Sequence, residues 1–462
     1  MKRRMSRFLI NVFLLFLQFI SINGDFVDDI NSKDKKYYYG HRVIYEMNIG
    51  SFTSQGTFAS AIEKLYDIKL LGVDVIWLMP IFKRDGGLNS PYGPYDYYLT
   101  NPKYGSNEDL RKFVGVAHYL NMDVWLDWVP NHTSNNSPWR TLHPDYYAKD
   151  LHPFYGDVSQ LNYDNINLRY EMVYILQYWI DQADVDGYRC DMVSSPYIPR
   201  DFWLQLIPSV RNYKGKYITF LGESDFTDVA HLFGVGFDYD YAWWFQETAL
   251  QKTVGHGYSA ENLKTLCEML FYDSRYYNND RMLYLTNHDV NFNYNKKLSD
   301  LYGDNKYPFT VLIFTLYGMP LIYNGQENGG EEILNYFTDS KFDWNKRDYK
   351  MYNTIRTLTA LKHSVEAFRD GKSFEERGSL QFVKNDNSVV AYIRRNGNSV
   401  ALVVLNLGGW TDATLYGVPE GGYTQWLDSK TISNGASQKY VYLTSNPTIN
   451  LDNKGYAVFV KN

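Results

Sequence analysis

Short runs of consecutive apolar residues alternate along most of this chain with longer stretches whose apolar positions recur every three to four residues. Arg42-Val43-Ile44-Tyr45-Glu46-Met47 reads as a buried strand, and residues 60–71 follow as a helix with Ile62, Leu65, Tyr66 and Leu70 at helical spacing. Ser60 and Glu63 are its expected capping box and Gly72 its stop. The pattern then repeats as strand 75–79, helix 107–120 with Ser106 as its cap, and strand 124–128. Continuous apolar strands separated by amphipathic helices imply parallel pairing, with both sheet faces covered.

Between residues 131 and 167 the alternation stops, and a stretch that long without its own pattern is functional or a small domain. It resumes with helix 168–183, strand 187–191, helix 201–210 and strand 217–221, and weaker strands at 237–241, 282–286 and 321–323 bring the number to eight. Eight βα units predict a closed (β/α)8 TIM barrel over residues 37–370, with the domain 131–167 inserted after the third strand. From residue 371 to 462 the texture changes to short alternating strands, including a hairpin that turns at Arg395-Asn396-Gly397-Asn398. This region is expected to be a C-terminal antiparallel β domain.

Composition narrows the partners. A net charge of -6 over 462 residues is mild, and no basic run follows the N-terminal one, which argues against nucleic acid and anionic membrane and for a neutral substrate. Lys2, Arg3, Arg4 and Arg7 precede a mostly apolar stretch over 8–22, then Asn23-Gly24-Asp25. Residues 1–24 thus read as a signal peptide, too short for a transmembrane helix, so a secreted protein with no stable membrane insertion is expected. An uncleaved anchor is the alternative. Cys190 and Cys267 are expected as two buried free thiols.

Catalytic groups of such barrels stand at the C-terminal ends of strands. The third strand ends in Asp127-Trp128-Val129-Pro130-Asn131-His132, the fourth in Arg189-Cys190-Asp191, the fifth in Gly222-Glu223 and the seventh in Thr286-Asn287-His288-Asp289. Arg189 and Asp191, two apart on a strand, point to one face, where the guanidinium should lower the carboxyl pKa. By itself Arg-x-Asp is more often an ordinary ion pair. Acidic groups at several strand ends of one barrel would raise each other's pKa values, a cost that a merely structural arrangement avoids.

These stretches resemble, in order, the α-amylase superfamily of retaining α-glucoside hydrolases. Ser90-Pro91-Tyr92 and residues 318–327, Gly-Met-Pro-Leu-Ile-Tyr-Asn-Gly-Gln-Glu, add to the resemblance. It implies Asp191 as nucleophile, Glu223 as general acid and base, and Asp289 as the carboxylate that holds sugar hydroxyls. It further implies Arg189 keeping Asp191 ionised, His132 and His288 bonding hydroxyls, and Tyr92 stacking on the sugar. The implied reaction is double displacement on α-1,4-glucosidic bonds of starch, glycogen or maltooligosaccharides, which needs two carboxyl groups about 5–5.5 Å apart. An exo-acting α-glucosidase, a maltodextrin hydrolase or transglycosylase, and a non-catalytic sugar-binding relative are the alternatives.

The same resemblance implies a structural Ca2+ held by Asn131, a loop-domain residue matching Asn162, and the carbonyl of Ser195. Asn162 stands where the family has an aspartate, and losing that charge weakens a hard-cation site, so calcium stays open. Ser194-Ser195 replaces a Lys-His pair common in the family, which bears on leaving-group preference.

Overall fold

A computed structural model describes residues 42–85, 90–148, 155–225, 232, 234–255, 259–273, 280–369, 377–385, 389–435 and 438–462. The expected signal segment 1–24 and the expected boundary at 370–371 lie outside the described residues.

Eight strands close into a parallel barrel: Ile44–Met47 (β1), Val75–Leu78 (β2), Asp123–Trp128 (β3), Gly187–Cys190 (β4), Thr219–Gly222 (β5), Tyr239–Tyr241 (β6), Asp280–Leu283 (β7) and Met319–Tyr323 (β8). Each pairs with its neighbours in sequence, and β1 closes on β8 with Ile44 opposite Leu321. Helices Asn107–Tyr119 (α1), Ile166–Ala183 (α2), Arg200–Arg211 (α3), Ala260–Phe271 (α4), Lys306–Thr315 (α5) and Tyr349–Ser364 (α6) are the longest of those that follow the strands. Cys190 and Cys267 are free and buried.

One cap lies elsewhere than expected. The first helical stretch begins at Phe58 with Thr57 as N-cap, and Ser60 is its third residue, returning a hydrogen bond to the Thr57 amide. Thr57 has the extended backbone a cap needs, whereas Ser60 is already helical.

Large aromatic side chains fill the barrel. Trp77, Trp125, Tyr239, Tyr241 and Tyr284 pack there with Ile44, Val75, Leu221, Met282, Met319 and Leu321. Gly187 makes room for one of them: a Cβ on it would lie 2.6 Å from the Thr219 carbonyl oxygen and 2.7 Å from the Trp125 ring.

Two antiparallel ribbons stand over the strand ends. Phe82–Arg84 pairs with Pro94–Thr100, and Tyr92 lies in the stretch joining them. Inside the insertion His132–Ser134 pairs with Val158–Gln160, which sets His132 opposite Gln160.

The C-terminal region is a six-stranded antiparallel sheet of Ser379–Phe382 (β9), Val389–Asn396 (β10), Ser399–Asn406 (β11), Gly421–Asp428 (β12), Lys439–Leu443 (β13) and Tyr456–Lys461 (β14), in the order β9-β10-β11-β14-β12-β13. A three-stranded sheet accompanies it. The β10–β11 hairpin is tighter than expected: Asn396 pairs with Ser399, and the loop is Gly397-Asn398 with Gly397 at φ 53°. From β10 the fully buried Arg394 donates to the Thr315 and Leu316 carbonyls at 2.8 and 2.5 Å. A guanidinium there satisfies carbonyls left open at the end of α5.

Replacing Gly187 by alanine should lower the thermal unfolding midpoint, with a loss of about 1–3 kcal/mol typical of overpacking. An unchanged midpoint would mean that Trp125 and β5 can retreat at no cost.

Candidate active site

The β4 end supplies the centre of the site. Arg189 is wholly buried, and its Nη1 donates to Asp127 at 2.9 Å and to Asp191 at 2.7 Å. Its Nη2 lies 3.0 Å from Glu223, and its Nε donates to the Tyr241 hydroxyl at 3.1 Å. The rings of Trp77, Tyr92 and Tyr241 lie 5.3–5.6 Å from the guanidinium carbon, so aromatic surface surrounds the cation where carboxylates do not. Backbone pairing carries on past the strand ends, Asp191 N–H to the Trp128 carbonyl and Glu223 N–H to the Cys190 carbonyl, both at 2.9 Å. These bonds fix where both carboxyls stand. Directly after Asp191 the chain turns left-handed at Met192, φ 48°, and the Met192 amide donates to Glu223 at 2.7 Å. A non-glycine residue in that conformation costs of order 1–3 kcal/mol and persists where its surroundings hold it.

Burial sets the protonation states. It raises the Asp191 carboxyl to about 6; Arg189 pulls the other way and Asp127 adds to the rise. The expected net lowering by Arg189 is therefore overturned, because desolvation outweighs one shared cation. Glu223 is raised further, to about 8, by burial and by repulsion from Asp191 and Asp289, against the pull of Arg189. A hydrogen bond from Glu223 helps hold the charge on Asp191. Near neutral pH the pair thus carries one proton, on Glu223.

A second chain of bonds crosses the barrel mouth. Burial opposes charge on His288, but Asp289 and Glu46 outweigh it and raise the imidazole to about 9. The imidazolium donates from Nδ1 to Glu46 at 2.5 Å and from Nε2 to the Tyr92 hydroxyl at 2.8 Å. The Tyr92 hydroxyl in turn donates a hydrogen bond to Asp127 at 2.9 Å, and its ring stacks on His288 with centroids 5.2 Å apart. Asp289, partly exposed, accepts from Asn293 at 2.8 Å and lies 3.5 Å from His288 Nε2.

Asp191, Glu223, Asp289, Arg189, Tyr92 and His288 therefore meet at one mouth. His132 is different: its Nε2 contacts the Tyr92 carbonyl at 2.8 Å and its Nδ1 contacts the Asn131 amide at 3.1 Å. Both ring nitrogens are engaged inside the protein, as those of His288 are, and the ring holds the Tyr92 backbone. The sequence reading gave no role to Glu46, which pairs with His288, or to Asp127, which Trp77, Tyr92 and Arg189 all bond. It also passed over Tyr155, whose hydroxyl feels Asp191, Asp289 and Glu223. A carboxylate breaking an apolar strand was the available signal for Glu46.

The expected calcium donors do not fit a hard cation. The Asn131 side-chain oxygen accepts from the Ser195 hydroxyl at 2.6 Å and from Gln160 Nε2 at 3.2 Å. Gln160 also donates to the Asn131 carbonyl at 2.8 Å. The Asn162 oxygen instead accepts the Asp164 amide at 3.1 Å. The set is all neutral oxygens, without the carboxylates that strengthen a calcium site, and the central one already accepts from two donors. Among the described residues no group of three or more His, Cys, Asp or Glu side chains is placed to hold a metal. Amide and hydroxyl bonds join the insertion to the turn after Asp191.

A closed parallel barrel with carboxyls of opposite protonation at its strand ends is the frame of a glycosidase. The description "Alpha amylase, catalytic domain" matches residues 26–150 and 139–387, and "Alpha amylase, C-terminal all-beta domain" matches 380–460. The chain belongs to the α-amylase family of glycoside hydrolases. It is similar to the alpha-amylase MalA of Haloarcula japonica, 26% identical over 406 residues covering 82% of this chain. A cyclomaltodextrin glucanotransferase of Bacillus sp. is also 26% identical, over 450 residues covering 82% of this chain. The chain spans only 57% and 59% of these two relatives. The solved maltogenic alpha-amylase AmyB of Thermotoga neapolitana superposes with a TM-score of 0.76 at 26% identity, over 92% of this chain and 99% of that one.

Two outcomes test the amide cluster. Exhaustive chelation should leave the thermal midpoint where it was, since a ligand contributes stability only if it binds the native state. Gln160→Ala should cost about 1–3 kcal/mol, the penalty for leaving buried polar partners unpaired. A midpoint that falls on chelation and recovers with Ca2+ would refute the metal-free reading.

Proposed function

We propose that this enzyme hydrolyses α-1,4-glucosidic bonds of starch, glycogen or maltooligosaccharides with retention of configuration. The observation that carries the mechanism is the Asp191–Glu223 pair. The two carboxyls lie against the two terminal nitrogens of one guanidinium, Asp191 2.7 Å from Nη1 and Glu223 3.0 Å from Nη2, and this side-by-side setting on adjacent strand ends supports a retaining pair. Asp191, ionised, attacks the anomeric carbon while Glu223 gives its proton to the departing glycosidic oxygen. The resulting glycosyl ester on Asp191 is broken when Glu223, now the base, takes a proton from water and the hydroxide adds to the same carbon. Asp289, with His288 beside it, is placed to hold hydroxyls of the sugar undergoing reaction.

Secretion is part of the proposal, supported by the basic and then apolar character of residues 2–22. Transfer to a sugar hydroxyl in place of water is the second reading, favoured by the similarity to a cyclomaltodextrin glucanotransferase.

Activity should describe a bell against pH. It falls below about 6 as Asp191 gains a proton and above about 8 as Glu223 loses one. Rates on soluble starch across pH 4–10 measure both limbs, and a profile flat to pH 10 contradicts the assignment of Glu223.

Glu223→Gln should lower turnover of an ordinary maltooligosaccharide by about 10²–10⁴-fold, the usual worth of a positioned acid. An activated fluoride donor, which needs no proton, should still form the ester on Asp191, visible as added mass on a peptide containing residue 191. Equal loss on both substrates with binding intact would remove Glu223 from the acid role. Product lengths from soluble starch, with and without a sugar acceptor, separate hydrolysis from transfer.

A further inference from the structure

Outside the catalytic mouth a surface groove of about 470 Å3 runs where the insertion meets α2, and its lining includes Asp145, Tyr146, Asn167, Tyr170, Glu171 and Tyr174. Tyr170 and Tyr174 sit one helical turn apart and are 61% and 57% exposed, a large apolar area for a helix to leave to water. The groove is also polar in a directed way. Asp145 accepts from Asn165 at 2.7 Å, and Glu171 accepts from the Tyr98 hydroxyl at 2.6 Å. Each carboxylate is thereby held in place and keeps further acceptor sites for an incoming hydroxyl. Tyr98 lies against Tyr174, with centroids 6.1 Å apart, and Tyr146 stacks on His143 at 4.6 Å, so the rings are braced.

The chemistry selects the ligand. Among the described residues no lysine or arginine lines the groove, and two carboxylates do, which disfavours phosphates and other anions. Flat rings beside carboxylate acceptors suit a neutral polyhydroxylated molecule with alternating apolar faces and hydroxyl edges. Helix α2 returns from the strand ends towards the start of β4, so its first turns and residues 143–146 lie at the same end of the barrel as Asp191. The groove shares no residue with the catalytic cluster.

We propose that this groove is a second binding site for an α-glucan, a reading that rests on the proposed function. Tyr170 and Tyr174 take the apolar faces of successive glucose units, and Asp145 and Glu171 accept their hydroxyl hydrogens. A polymer long enough to reach both sites gains from effective concentration, whereas a maltotrioside does not. The groove thereby favours polysaccharide over short oligosaccharide without altering the chemistry.

The test is the Tyr170→Ala/Tyr174→Ala double variant, assayed for adsorption to granular starch and for turnover of a chromogenic maltotrioside. Adsorption should weaken about tenfold or more, as for the loss of one partner in a bivalent contact. Turnover of the maltotrioside and the thermal midpoint should stay within error of the wild type. Tyr170→Phe/Tyr174→Phe keeps both rings and should retain adsorption. Unchanged adsorption in the alanine variant overturns the second site while leaving the proposed function standing. A parallel fall of maltotrioside turnover and midpoint overturns it too, by making the tyrosines structural. A wild-type chain that cleaves no α-glucoside overturns both readings.

Discussion

One guanidinium with no access to water holds this molecule's chemistry together. Arg189 faces Asp127, Asp191 and Glu223, which face one another across the end of an aromatic-filled barrel. Taking a single ion into such surroundings costs several kcal/mol, and the attraction of a partner repays this only when geometry and further hydrogen bonds are good. Most of the remaining groups are met: Trp77 and Tyr92 serve Asp127, the Met192 amide serves Glu223, and the Tyr241 hydroxyl accepts from Nε, while Nη2 faces Glu223 at 3.0 Å without an aligned hydrogen bond. The cation is shared unequally. Asp127 and Asp191 both hydrogen-bond Nη1, whereas Glu223 faces Nη2 and is the carboxyl that retains a proton. Division of labour between the two carboxyls follows from burial and from the further repulsion that Asp191 and Asp289 exert on Glu223.

Much of this was legible in the residue order. Strand ends follow from apolar runs, and a barrel brings its strand ends to one rim, so Asp191, Glu223 and Asp289 could be placed without coordinates. The direction of the Asp191 shift could not, because a neighbouring arginine is visible in sequence and the loss of solvent is not. Glu46 was passed over for a related reason: inside an apolar strand it reads as an interruption, and only the closure of β1 on β8 and β2 gives it a histidine. The true cap Thr57 lay three residues before the expected one, since a Ser/Thr-x-x pattern fits more than one frame.

The joint between insertion and barrel shows how a site can keep its position while its chemistry changes. Asn131 occupies the place the resemblance assigns to a metal ligand, yet its oxygen is met by Ser195 and Gln160. Ser195 belongs to the turn that follows Asp191, and Gln160 belongs to the ribbon paired with His132. Neutral hydrogen bonds of this kind are individually worth about 1 kcal/mol, so the joint draws its rigidity from being buried and fully paired.

The bond between Glu46 and His288 joins residues 242 positions apart, the first strand of the barrel to the segment that follows the seventh. Closing a loop of that length costs more entropy than pairing neighbouring strands, so the bond depends on the rest of the barrel being in place. Asp191 and Glu223 stand on adjacent strands and need no such closure to lie side by side. A barrel in which β1 has not closed on β8 lacks the Glu46–His288 bond, so one half of the cluster depends on the integrity of that seam and the other does not.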